Sequence, residues 1–205
     1  MRNIIRVAAA VAGLTIALAP AAWAQNKPMH VRGTIEKVDG NVLSVKVRGG
    51  GDTTLKLADN PRITALTKAQ LSDVKEGSFI GVTAMPQADG SQKAIGLHIF
   101  MDAQKGVVPT GFTPWDREPG STMTNADVGS QVTSADGQTL TVKYKDGEKK
   151  VIVPPTTPVV RFTPGNKDDL KPGAQFFIVA ATKQADGSYT AAAINVGRDG
   201  ATPPM

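Results

Sequence analysis

The sequence predicts an all-β protein made of two tandem, small five-stranded barrels of the OB type, each with one short helix. Two observations lead to this fold class. The stretch at residues 39–47 recurs at residues 136–144, with Asp, Gly, Leu, Val and Lys at matching places 97 residues apart. In each copy, apolar and polar residues alternate with the period of two that is typical of half-buried strands. We therefore expect one barrel in each copy.

Further matches extend the duplication over most of the chain. The pentapeptide Gln-Ala-Asp-Gly-Ser occurs at residues 87–91 and again at residues 184–188, at the same offset of 97. Ordered matches at one offset indicate an internal duplication and not a chance similarity. We expect the first OB-like domain at residues 25–101 and the second at residues 125–198.

In the first copy, residues that favour turns separate five short strands. Thr67, followed by Gln70 three residues later, forms a capping-box pattern that predicts a short helix. Gly77 is a natural stop for that helix. The expected strands lie at residues 31–35, 43–47, 53–57, 79–83 and 95–99.

The second copy repeats this order, with a shorter helical turn between its third and fourth strands. The order β-β-β-α-β-β, with the helix in that place, is the order of an OB-fold barrel. An SH3-like barrel is the alternative, because the Leu-Lys-Pro-Gly at residues 170–173, directly before a strand, also occurs in that fold. The expected strands lie at residues 128–133, 140–144, 151–153, 176–180 and 191–196.

The first 24 residues have the pattern of a secretory signal peptide. Arg2 and Arg6 precede an uncharged apolar run at residues 7–19, and Ala22 and Ala24 supply the small residues that a signal peptidase reads. We expect cleavage after Ala24, which would release a soluble periplasmic or secreted protein. No later segment is long and apolar enough to span a membrane as a helix, and the chain has no Cys. We therefore expect neither a membrane span nor disulfides.

The segment at residues 102–124 has no counterpart in the repeat. Its Pro and Gly residues predict an irregular connector, yet it carries Phe112 and Trp115. Two interpretations stay open: the connector wraps over a barrel and buries Trp115, or the aromatic residues form an exposed platform for a ligand. Phe112 and Trp115 are therefore the candidate ligand-binding residues. Residues 199–205, which include two adjacent Pro residues, predict an extended terminus.

Several motifs resemble those of a known group of bacterial proteins. They are Val-Arg-Gly-Thr-Ile at residues 31–35, Asp-Gly-Asn at 39–41, Gln-Ala-Asp-Gly at 87–90 and Pro-Trp-Asp at 114–116. Together they resemble the domain-of-unknown-function family numbered 5666, over nearly the whole chain after the signal peptide. The resemblance implies an exported bacterial protein with small β-barrel domains in tandem. It implies no activity and carries over no catalytic residues.

The sequence offers little that would support catalysis. It has two His and no Cys, and it lacks the nucleophile-elbow, Walker, Rossmann and EF-hand patterns. Six of its 14 Asp residues sit in Asp-Gly pairs, where turn chemistry explains them. We expect a protein that is not an enzyme and that needs no cofactor.

The charge pattern does not favour nucleic acid as a partner. The formal net charge of +5 is spread along the chain, and the nearest approach to a basic block is the pair Lys149 and Lys150. Nucleic-acid-binding OB folds stack bases on aromatic residues in a basic groove, and aromatic residues make up only 5% of this chain. We expect an exported binding or scaffold module for an envelope protein, a polymer or a small ligand. Such a partner would bind at a barrel face or by strand addition at an open edge.

Periplasmic metal binding is the alternative function. His98, Met101 and Met123 offer an imidazole and two soft thioethers, which are ligands that suit copper or silver. On a straight strand, however, His98 and Met101 would point to opposite faces. His98 is also out of phase with Leu97 and Ile99, so we expect it to be exposed or at a barrel rim.

Overall fold

A computed structural model describes residues 27–134 and 137–205. This part of the chain is all-β, and its helical segments are three-residue 3-10 turns at Leu71–Asp73, Asp102–Gln104 and Lys167–Asp169. Within the same residues, no helix has the length and apolar character needed to cross a membrane. The expected signal peptide and Asp136 lie outside the described residues. The strands are β1 Met29–Asp39, β2 Val42–Val47, β3 Asp52–Ala69, β4 Phe79–Pro86, β5 Gln92–Ile99, β6 Gly111–Pro114, β7 Thr122–Ser134, β8 Gly137–Tyr144, β9 Gly147–Val153, β10 Val159–Pro164, β11 Gln175–Lys183 and β12 Tyr189–Gly197.

Five of these strands form a closed barrel. β2 pairs with β1 and β3, and β11 pairs with β1 and β12, all antiparallel, while a parallel pairing of β12 with β3 closes the ring. Alternate side chains point inward, as the strand period of two requires. The largest fully buried side chains of this core are Ile35, Leu43, Leu55, Leu57, Phe176, Ile178 and Ile194. The prediction of an all-β fold with a β-barrel is confirmed.

The closed barrel takes strands from both halves of the chain. β1, β2 and β3 belong to the first copy, whereas β11 and β12 belong to the second, where we expected them to complete a separate barrel. Neither residues 25–101 nor residues 125–198 enclose this barrel on their own. Because the two copies have similar sequences, a strand from one copy can offer the other similar backbone partners and a similar apolar face.

The other strands form a second group. β4 pairs with β5 and β7, β8 pairs with β7 and β9, and a short parallel contact joins β5 to β9, where Gln92 lies opposite Val151. β10 links this group to the barrel, since it pairs antiparallel with β3 and parallel with β5. The core of the second group includes Ile80, Val82, Leu97, Leu140, Val142 and Val151.

The short helix predicted to begin at Thr67 of the first copy is wrong, because a 3-10 turn at Leu71–Asp73 stands in its place, whereas the shorter helical turn predicted for the second copy is present as the 3-10 turn Lys167–Asp169. In the first copy, β3 continues past Pro61, so that Thr67 pairs with Arg161 of β10 and does not cap a helix. A single turn follows, in which the carboxylate of Asp73 accepts a hydrogen bond from the backbone N–H of Gln70 at 2.9 Å. Pairing with β10 satisfies the backbone groups that a helix would satisfy internally.

The repeated pentapeptide forms the same turn twice. Asp89 Oδ1 accepts hydrogen bonds from the N–H and hydroxyl of Ser91 at 3.0 and 2.6 Å. Asp186 Oδ1 accepts the equivalent bonds from Ser188 at 2.9 and 2.7 Å. These hydrogen bonds hold the pKa of both carboxyls below the ordinary value. The interpretation of these Asp residues as turn formers is confirmed.

The C-terminal residues are packed into the protein, which corrects the expectation of a merely extended terminus at residues 199–205. Ala201 and Met205 are buried, and the Met205 carbonyl accepts a hydrogen bond from Arg32 Nε at 2.8 Å. They belong to a third apolar cluster, which draws on both strand groups and fills the space between them. The buried members of this third cluster are Leu66, Phe79, Phe100, Met123, Val160, Phe162, Phe177, Ala201 and Met205.

Candidate functional site

The connector, expected to be irregular, is fastened at several points. Its strand β6 pairs antiparallel with β7, where Phe112 lies opposite Thr124. Beyond β6, the N–H of Trp115 donates to the carbonyl of Ser121 at 2.8 Å, and the Ser121 hydroxyl donates to the carbonyl of Trp115 at 3.1 Å. These two bonds close a loop over residues 115–121, which we call the connector loop.

Trp115 packs against the outside of the barrel. Its half-buried ring lies 4.3 Å from the ring of His30 and 6.2 Å from that of Phe177, centroid to centroid. Val31 of β1 points into the barrel core, so the alternation of the strand turns His30 and Arg32 outward. The indole N–H of Trp115 is buried and has no hydrogen-bond partner among the described residues.

Asp116 joins the connector loop to β1. Its Oδ1 accepts a hydrogen bond from Arg32 Nη2 at 2.7 Å and lies 2.9 Å from His30 Nδ1. Desolvation would raise the pKa of this carboxyl, but the hydrogen bonds from Arg32 and His30 outweigh it and lower the pKa to about 2. Asp116 is therefore ionised at neutral pH. The Arg32 guanidinium is also held over the Phe177 ring, 4.7 Å from its centroid.

A cavity of about 430 Å³ opens beside this ion pair. Its walls are β1, the end of β2 with the glycine loop that follows, the connector loop, and the hairpin between β11 and β12. We call this cavity the connector cleft. Its volume lies in the range of small-molecule sites. Its lining residues include Arg32, Val47, Arg48, Gly50, Asp116 and Arg117.

Three guanidinium groups meet at the connector cleft. Burial lowers the pKa of Arg48, and the nearby positive charges of Arg117 and Arg32 lower it further. The backbone N–H of Arg48 donates to the carbonyl of Arg32 at 2.8 Å, which fixes the two residues side by side. Arg117 forms an ion pair with its neighbour Glu118 at 3.3 Å. The cleft therefore concentrates positive charge.

A second, shallower cavity of about 440 Å³ adjoins the connector cleft. His30 and Asp116 border both cavities, so the two share one wall. Pro28, Pro114 and Trp115 give the second cavity a mainly apolar lining. The charged connector cleft is thus continuous with this second, apolar cavity, which we call the apolar hollow.

Phe112 and Trp115, the two candidate ligand-binding residues, are not brought together. The ring of Phe112 lies under Lys149 of β9, with the ammonium 4.8 Å from the ring centroid. Trp115 instead contacts residues of β1 and β11, and no ring contact joins it to Phe112 in residues 27–134 and 137–205. Of the two, only Trp115 borders one of the cavities described above.

His98 is buried, and the prediction of an exposed or rim position is wrong. It is 4% exposed, and its ring stacks on Phe162 at 5.0 Å and meets Phe100 edge-on at 4.7 Å. β5 lies between β4 and β10 and is covered on both faces, so alternation along it does not separate core from solvent. Burial lowers the pKa of His98 to about 3. Its Nδ1 has no hydrogen-bond partner in the described part of the chain.

The three candidate metal ligands border one apolar cluster. Met123 is buried in the third cluster, Met101 packs against it, and both rings that contact His98 belong to it. β5 ends at Ile99, so the straight-strand argument that separates His98 from Met101 does not apply. Among the residues that the structure describes, no group of three or more His, Asp or Glu side chains could hold a metal ion.

The arginines of the connector cleft are the residues that sequence reasoning missed. Arg32, Arg48 and Arg117 are far apart in the sequence, so no basic block marks them. The one local signal is the polar position of Arg32 in the alternating pattern of β1. Only the folded connector brings Arg117 to the other two.

Compared with family models, with curated proteins and with solved structures, the chain has no match.

Proposed function

We propose that the protein is an exported, non-enzymatic binding module that takes its ligand at the connector cleft. One observation carries this proposal: the connector loop is fastened by hydrogen bonds and an ion pair, yet it leaves a cavity of about 430 Å³ open beside a half-buried Trp115. A segment that served only as a linker would need no such fixed geometry. Preformed, concave cavities are the usual places for small-molecule binding.

The barrel that carries the cleft is of the OB type in this proposal. Counted from β1, β11 and β12 take the places of the fourth and fifth strands, as in a five-stranded Greek-key barrel. The ring of pairings through β5, β4, β7, β8 and β9 has the same order and supports a second barrel of the same type. The 97-residue repeat supports the same conclusion. The two barrels would then have exchanged their last two strands.

Export is supported by the signal-peptide pattern before Gln25 and by the resemblance to an exported family. The test is to express the full chain in a bacterium, to isolate the periplasmic fraction, and to sequence the protein from its N-terminus. We expect the first residue to be Gln25. Full-length protein retained in the cytoplasm would contradict export without affecting the cleft.

The binding function is tested by a thermal-shift screen of small molecules and short envelope glycans, with ligands of all charge classes. Gly50→Phe provides a blocked cleft, because a Cβ at Gly50 would lie 3.6 Å from Val47, another lining residue. Gly51→Phe is the matched control, since a Cβ there meets no atom of the described residues within 4 Å. We expect compounds that stabilise the wild type and Gly51→Phe but not Gly50→Phe. If no compound of any charge class behaves in this way, the binding proposal is wrong.

A specific observation favours copper or silver binding as a second candidate function. The buried His98 imidazole keeps an unpartnered Nδ1, and thioethers of Met101 and Met123 border the same cluster. A neutral imidazole and thioether sulfur are ligands that suit Cu(I). A Cu(I) competition titration against a chelator, on the wild type and His98→Leu, tests it. Affinity weaker than about micromolar, or equal affinity in both proteins, would remove this candidate.

A further inference from the structure

We propose that the ligand of the connector cleft is a small organic anion, whose carboxylate or phosphate group binds Arg48 and Arg117 and whose apolar part lies against Trp115. This inference rests on the proposed binding function and adds the chemical class of the ligand. It follows from the charges at the cleft, the free donors of its arginines and the apolar hollow beside it.

The charges around the connector cleft do not balance. Arg32, Arg48 and Arg117 are set against the carboxylates of Asp116 and Glu118. Among the described residues, one of the three guanidinium groups therefore has no carboxylate partner of its own. Like charges held at short range in a partly buried cavity repel each other. An anion in the cleft would relieve that repulsion.

Arg48 is the guanidinium best placed to receive the anion. Arg32 already donates to Asp116 and to the carbonyl of Met205, so two of its nitrogens are engaged. The side chain of Arg48 forms no salt bridge within the described residues, and the Glu118 carboxylate, which Arg117 already holds, acts on it only at longer range. A guanidinium presents two parallel N–H donors, which match the two oxygens of a carboxylate or phosphate.

Arg117 supplies the second contact, from the connector loop. Its ion pair with Glu118 joins neighbouring residues at 3.3 Å through one nitrogen, Nη1, which leaves donors that can turn towards a ligand. The Trp115–Ser121 hydrogen bonds fix the loop that carries it. Arg48 and Arg117 thus approach one space from two different segments of the chain.

The adjoining hollow indicates that the ligand is more than an inorganic ion. Pro28, Pro114 and Trp115 line it, and it shares His30 and Asp116 with the cleft. A molecule with an anionic head at Arg48 would therefore have apolar surface within reach for the rest of its body. Removal of that apolar surface from water favours binding. A phosphate or carboxylate attached to an apolar or aromatic group fits both cavities.

Isothermal titration calorimetry of the full chain tests this with three probes: phenyl phosphate, inorganic phosphate and the neutral phenylacetamide. We expect phenyl phosphate to bind more tightly than inorganic phosphate, and phenylacetamide to bind least. Arg48→Gln should weaken phenyl phosphate by about tenfold or more, which is the usual effect of losing a charged hydrogen-bond partner. Arg117→Gln provides a second, independent variant.

The matched control is Arg62→Gln, which removes the same charge from an exposed position on β3 outside the cleft. Equal weakening by Arg62→Gln and by the two cleft variants would mean nonspecific attraction and would overturn the inference. The inference would also be overturned if the cleft bound neutral or cationic compounds, with binding blocked by Gly50→Phe, and bound no anions. In that case the proposed binding function would still hold, because the cleft would still take a ligand. Failure of every compound would overturn both proposals.

Discussion

Arg32 in β1 donates a hydrogen bond to Asp116 in the connector loop at 2.7 Å, although 84 residues separate them in the sequence. The arginine side chain is 11% exposed and the aspartate side chain is 52% exposed, so one partner is anchored and the other faces water. His30 Nδ1 contacts the same carboxylate oxygen of Asp116. The ionised carboxylate of Asp116 therefore holds the connector loop to the barrel.

Asp116→Asn should destabilise the protein at neutral pH and much less in strong acid. The pKa of Asp116 is about 2 in the folded protein, below the ordinary 3.8. Its ionised form therefore stabilises the fold above about pH 4, and this contribution is lost as the pH falls through about 2. After allowance for solvent screening at a half-exposed carboxyl, we expect about 1 kcal/mol. Urea unfolding of the wild type and Asp116→Asn at pH 7 and pH 2 measures this contribution. If the difference in unfolding free energy between the two proteins is as large at pH 2 as at pH 7, the ionised carboxylate of Asp116 does not stabilise the fold.

Gly96→Ala should destabilise the protein through the packed C-terminus. A Cβ at Gly96 would lie 2.6 Å from the carbonyl oxygen of Pro204 and 2.7 Å from its Cβ. Overpacking of this kind costs about 1–3 kcal/mol. Gly51→Ala is the control, because no atom in the described part of the chain lies within 4 Å of a Cβ built there. Urea unfolding of both variants should show a loss for Gly96→Ala alone.

Removal of residues 203–205 tests whether contact with the C-terminal residues is what makes Gly96→Ala destabilising. In the shortened chain, the difference in unfolding free energy between Gly and Ala at position 96 should disappear, because the atoms that the methyl group meets are gone. If the difference persists, Gly96 is constrained by something other than the C-terminal residues.

Local chemistry is enough to predict most strands and some turns of this protein. Alternation places β1, β2 and β8 correctly, and the Asp-Gly-Ser pattern predicts the hydrogen bonds of Asp89 and Asp186. Local chemistry does not decide which strand pairs with which. Two similar copies offer β3 two similar partners, and nothing within β3 selects β12 of the second copy over β5 of the first.

The residues of the connector cleft and the burial of His98 could not be predicted for a related reason. Both depend on contacts between segments that are distant in the sequence. The cleft exists because the connector loop carries Arg117 to Arg32 and Arg48. His98 is covered by Phe162, which comes from β10 of the other copy. A pattern within one strand contains no information about these contacts.

Buried His98 should make the protein lose stability in mild acid. Its pKa is about 3 in the folded state, against an ordinary 6.5, so its neutral form stabilises the fold above pH 6.5. That contribution is lost as the pH falls towards 3, at up to about 1.4 kcal/mol per pH unit. His98→Leu should remove this dependence, which urea unfolding between pH 7 and pH 4.5 measures.

Asp116→Asn is the control in the same pH window, because Asp116 stays ionised there and the variant should keep the wild-type slope. NMR provides an independent measurement, since the resonances assigned to His98 should not titrate between pH 8 and pH 5. A titration midpoint near 6.5 for His98 would contradict its burial as described.

Cutting the chain between its two copies should leave the fragments together. The loop at Gly106 and Val107 suits an inserted protease site, because Val107 is 74% exposed. After cleavage, β1 and β3 on one fragment still pair with β11, β12 and β10 on the other, and β4 still pairs with β7. We expect both fragments to co-elute in size-exclusion chromatography at the position of the intact chain, and to separate only in concentrated urea. If each copy formed its own barrel, far fewer backbone hydrogen bonds would join the two fragments. Fragments that separate under native conditions would therefore contradict the strand pairing between the copies.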